Sequence, residues 1–85
     1  MTTKEEIRRW LVEGLDEKAT HVVIVCDTFD HSDYPVYVSS AEDVRTVFDR
    51  YDGPNMQRVM EVYALHLPIE PQLAETRAFH FEVQT

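Results

Sequence analysis

One run of residues, Val22-Val23-Ile24-Val25-Cys26, constrains the fold of this chain more than any other feature. Four of its five residues are β-branched, and all five are apolar. Such side chains are stiff at χ1 and favour a pleated backbone, and an unbroken apolar run needs cover on at least one face. The run therefore predicts a central strand. Asp27-Thr28-Phe29 follows it, and then the polar sequence Asp30-His31-Ser32-Asp33, whose side chains can bond the local backbone in a turn. Pro35-Val36-Tyr37-Val38 alternates as a second strand. The two predict an antiparallel hairpin with a loop of about five residues.

Helical patterns flank the hairpin. Thr2 and Thr3 each precede a glutamate by three residues, the spacing of a capping box, and Ile7, Trp10, Leu11 and Leu15 then recur on one helical face. A first helix is expected from about Thr3 to Leu15, with Trp10 as its core anchor and Gly14 with Asp16-Glu17-Lys18 turning the chain. Ser39 and Ser40 stand before Ala41-Glu42-Asp43 as a second capping arrangement, and Val44, Val47, Phe48 and Tyr51 follow at i, i+3, i+4 and i+7. Asp52-Gly53-Pro54 ends that helix. Met56 to Leu67 fits a helical stripe or a strand. A hairpin alone is marginal in water, so a third strand is the expected solution. Gln72 to Ala78 suits a short last helix, and Phe79 to Val83 an edge strand or an arm that packs on a partner. The expectation is a single α+β domain over residues 1–85. Its order is α-β-β-α-β-α, with a small three- or four-stranded, mainly antiparallel sheet and helices packed on one face. The other face, or an open edge, would then serve self-association.

Charge and size narrow the function. Sixteen acids stand against 8 Lys and Arg, a formal net charge of −8. Binding to a phosphate backbone needs clustered cations, so nucleic acid is not expected as a partner, whereas a basic protein surface is compatible. Net charge also serves simple solubility. The 85 residues leave a thin core. One cysteine supplies neither an internal disulfide nor a Cys-based zinc site. No apolar run approaches the roughly 18 residues that span a membrane, and the charged, amphipathic start does not resemble a secretory signal. A cytoplasmic protein without membrane contact is expected.

The segments ATHVVIVCDTFDHSDYPVYV, YDGPNMQRVMEVYAL and RAFHF together resemble a group of small uncharacterised proteins of bacteria and their phages, over about Ala19 to Phe81. The resemblance implies a short protein borne by a phage or plasmid that inhibits or sequesters a host component. It transfers no activity and no site residues.

The hairpin turn gathers Asp27, Asp30, His31 and Asp33, which could hold a divalent ion or act as acid and base, or simply form a solvated tip. Asp27 closes the apolar run, where a carboxylate needs a partner such as Tyr37, Arg45 or Arg58, or else marks the point where the strand enters solvent. Cys26 lies inside the run, about 16 Å of strand from His21, and reads as structural. His21, His31, His66 and His80 are dispersed. Tyr34 and Tyr37 flank the turn, and with Arg58 and Arg77 they could stack and clamp a nucleotide-like anion, or merely pack the sheet. No phosphate loop and no nucleophile elbow is present. The expected function is non-enzymatic binding by a small acidic homo-oligomer, which inhibits a host protein or sequesters a small anionic ligand, without metal or cofactor. A small metal-dependent hydrolase using the hairpin acids and an acidic mimic of nucleic acid are the alternatives.

Overall fold

The apolar run does form the middle of the sheet. In the computed structural model, which describes residues 2–83, β1 (His21–Asp27) lies between β2 (Ser32–Val38) and β3 (Gln57–Ala64), antiparallel to both. The strands join α1 (Lys4–Asp16), α2 (Val44–Tyr51) and a short α3 (Ile69–Leu73) in the expected order α-β-β-α-β-α. No helix among the described residues is long and apolar enough to cross a membrane.

Both faces of β1 are buried, because alternate side chains of the run point to opposite sides. Val22 and Ile24 pack with Ile7 and Leu11 of α1, Leu73 of α3, and Tyr63. Val23 and Val25 pack with Val44 and Val47 of α2, Val38 and Val62. The expectation of helices on one face is therefore corrected: α1 and α3 cover one face and α2 the other. The continuous run required this, since a strand with an open face would alternate. The open face invoked for self-association is consequently closed.

The sheet edges are also guarded. Pro35 sits midway along the outer strand β2, where it offers no N–H to an incoming strand. On β3, Val62 N–H donates to Ala78 O and His80 N–H to Val62 O, each at 2.9 Å. Residues 78–83 thus form an arm with a single parallel bridge, Val62 to Phe79, rather than a fourth strand. Phe81 lies edge-on to Phe48 at 5.4 Å, beneath the Arg45 guanidinium at 4.2 Å.

Several local expectations shift. Thr3 caps α1 by accepting from Glu6 N–H at 3.2 Å. The helix is anchored by Leu11, which is fully buried, whereas Trp10 is half-buried and Leu15 exposed. Gly14 does not end α1. It lies inside the helix, where a Cβ would stand 2.9 Å from Val22 Cγ2 and 3.0 Å from Leu65 Cδ1. The Ser39–Glu42 pair bonds as a capping box does, Glu42 Oε1 accepting from Ser39 N–H at 3.0 Å. It does so around a turn, however, and α2 begins only after Asp43. The last helix starts at Ile69 rather than Gln72.

Candidate functional site

The hairpin end of the sheet carries most of the sequence-derived candidates, on the four-residue connection Thr28–His31 and its flanks. Asp27 is half-buried, and its Oδ1 accepts the Phe29 N–H at 2.8 Å. Asp30 Oδ1 accepts both Ser32 N–H at 3.0 Å and Ser32 Oγ–H at 2.7 Å, and these bonds hold its carboxyl below the usual carboxylate range. His31 takes a left-handed φ of 61° and donates its N–H to Asp27 O at 2.7 Å. Thr28 binds Met56 O twice, through N–H at 2.8 Å and Oγ1–H at 2.6 Å. The tip is therefore braced, both internally and against the turn at Pro54–Met56.

This braced tip presents apolar surface. Phe29 is 77% exposed and Met56 beside it 57%. Asn55 and Met56 both adopt left-handed backbone, φ 56° and 60°, which costs a side-chain-bearing residue about 1–2 kcal/mol. Asp27 forms no ion pair among the described residues. Arg58 pairs in register with Cys26, so its side chain leaves the opposite face of the sheet from Asp27. Of the two readings of Asp27, the structure shows the half-exposed end of the strand rather than a pair with Arg45 or Arg58 among the described residues.

The other candidates separate. Tyr34 packs on the α2 side and accepts a hydrogen bond from Gln57 Nε2. Tyr37 packs on the α1 side and donates to Glu13 Oε2 at 3.0 Å, its hydroxyl pushed up to about 12 by burial and then by Glu13. Strand alternation does not forbid neighbours three apart from facing opposite ways; it demands it. Asp33 and Arg77 line one cleft of about 340 Å³ over the α1 face, with Lys4 and Glu61. No aromatic side chain lines that cleft, so Arg77 is not assembled there with Tyr34 or Tyr37. Among the described residues no group of three His, Cys, Asp or Glu side chains could hold a metal ion. Cys26 is half-buried, and burial followed by Asp33 pushes its thiol up, away from the thiolate that nucleophilic work needs.

The sequence reading passed over Glu61 and Gln72, both buried. Glu61 accepts from Tyr63 Oη–H at 2.8 Å and Ala78 N–H at 3.3 Å, and lies 3.6 Å from Lys4 Nζ. It ties α1, β3 and the arm together, and both carboxylate oxygens are engaged by the fold itself. Burial, then Glu61, holds the Tyr63 phenol well above its usual range. The signal was a lone carboxylate in the apolar stretch Val59–Leu65, the same pattern that singled out Asp27. No family model, curated protein or solved structure matches the chain.

Proposed function

We propose that the protein is a non-enzymatic binding module that recognises a basic protein surface through its hairpin tip. The observation that carries this reading is Phe29, the most exposed large apolar side chain of the described residues, held on a turn braced by Asp27, Asp30 and Thr28. A large apolar residue exposed on a rigid support favours association, because little ordering entropy is lost on docking. Asp27, Asp30 and Asp33 lie within four residues of it along the hairpin, so a partner surface of cationic character around an apolar pocket is complementary. Inhibition of a basic host protein fits this chemistry. The engaged Glu61 and the raised Cys26 thiol give no support to an enzymatic alternative.

Panning a displayed random-peptide library on the protein tests the reading. Enriched peptides should combine Lys or Arg with an apolar residue, lose binding to Phe29→Asp, and shift amide resonances over residues 27–33 and 55–57. Peptides that bind Phe29→Asp equally well, or that shift only other residues, would overturn it.

A further inference from the structure

A cavity lies at the opposite end of the sheet from the tip. It holds about 490 Å³, within the range of small-molecule sites, between the end of α1, the start of α2 and the beginning of β1. Its walls are mainly apolar: Ala19, Val44 and Leu65 inside, with Leu15 and Val83 at the mouth, the last two 46% and 62% exposed. Folding leaves these two side chains in water although they flank a concave apolar surface.

The polar groups around the cavity are unequally satisfied. Its two acids are engaged on the α2 side: Glu42 accepts from Ser39 N–H and lies 3.8 Å from Arg50, and Asp43 accepts from Thr46 Oγ1–H at 2.9 Å. The buried His21 is engaged too, between Thr20 Oγ1 at 3.0 Å and Glu82 O at 2.7 Å. Lys18 and His66 have no side-chain hydrogen bond or ion pair among the described residues; His66 only meets the His21 ring edge-on at 6.3 Å. Lys18 also stands just past the end of α1 with φ 61°, a position that glycine fills at lower cost. The cavity thus combines an apolar interior, acids engaged by the fold, and two solvent-exposed nitrogen-bearing side chains, Lys18 and His66, that no described protein group engages.

We infer that this cavity is a binding site for a small apolar monoanion, a medium-chain or aryl monocarboxylate, whose body covers Leu15 and Val83 and whose carboxylate meets Lys18 and His66. The site is independent of the tip, and its test does not depend on the tip's partner.

Octanoate, with octanamide as its uncharged counterpart, is the probe, followed by amide chemical-shift titration of the full chain. Octanoate should give saturable shifts at residues 15–20, 43–44 and 65–66. Lys18→Gly should weaken it about ten-fold, as expected for loss of a charge-assisted contact, while thermal stability holds or rises because glycine suits the left-handed turn. His66→Gln should weaken it as well. No saturation at millimolar octanoate, shifts confined to other regions, equal affinity for octanamide, or unchanged binding by Lys18→Gly would each overturn the site.

Discussion

Gln72 bonds Ala64 as a neighbouring strand would. Its Oε1 accepts the Ala64 N–H and its Nε2 donates to the Ala64 carbonyl, both at 2.9 Å, and Nε2 also reaches Pro68 O at 3.0 Å. A single side-chain amide thus closes the outer edge of β3 where the arm does not reach. Gln72→Leu would leave a buried N–H and C=O unpaired, at a cost of about 2–4 kcal/mol. Gln72→Glu should cost at least as much at neutral pH, since a carboxylate facing Ala64 O has no proton to donate, and should recover in acid. Urea denaturation at two pH values measures both; a Gln72→Leu protein within about 0.5 kcal/mol of the parent would show the edge needs no clamp.

Gly14→Ala should destabilise the protein even though alanine is the better helix former by about 1 kcal/mol. The added methyl meets Val22 Cγ2 at 2.9 Å and Leu65 Cδ1 at 3.0 Å, with the Tyr37 ring at 3.3 Å. Val22 and Leu65 are buried and cannot swing into solvent. Overpacking of this kind costs about 1–3 kcal/mol, so a net loss of about 1 kcal/mol is expected in thermal or urea unfolding. A more stable Gly14→Ala variant would mean that α1 can slide away from the sheet freely.

The hairpin acids should be nearly silent in stability. Asp27→Asn and Asp30→Asn retain an acceptor for Phe29 N–H and for Ser32, and neither acid has a cationic partner among the described residues. Changes within about 0.5 kcal/mol are expected, and the same holds for Phe29→Ala because its ring is exposed. A loss above about 1.5 kcal/mol at Asp27 would reveal a buried partner for it.

Two histidines should give opposite pH dependence. Burial lowers His21 below its usual value, so the unfolded chain takes up a proton that the folded chain refuses. Its contribution falls away as pH drops from about 6.5 toward the folded value. His80 is raised, first by its bond to Glu75, and so stabilises below about pH 6.5 and loses that effect as pH climbs through its folded value. His80→Gln should therefore steepen the loss of stability on acidification, and His21→Gln should make it shallower. Denaturation midpoints across pH 5 to 8 (the histidine range, about 6.5 ± 1.5) check the sign, and identical slopes in both variants and the parent would refute it.

Sequence alone determined β1, β2, α1 and α2 and the order of the elements, but local pattern left Met56 to Leu67 between helix and strand until the sheet claimed it as β3. β-branched density named β1, the polar turn joined it to β2, and the i, i+3, i+4, i+7 spacing of Val44 to Tyr51 named α2. These signals are local, and local backbone preference answers them without knowing the rest of the chain. Tertiary structure alone decided which faces met. Val22 and Val23 are indistinguishable as neighbours in sequence, yet one packs under α1 and the other under α2. Gly14 read as a stop because its missing side chain is neutral evidence until Val22 and Leu65 are placed above it. Gln72 and Glu61 drew no attention in the sequence, although their partners include Ala64, Ala78 and Lys4, the last 57 positions from Glu61. Satisfying a buried polar group is a property of the assembled interior, where water is absent and each donor must find its acceptor, and the sequence shows that interior only once the chain is folded, even where both partners stand a few residues apart.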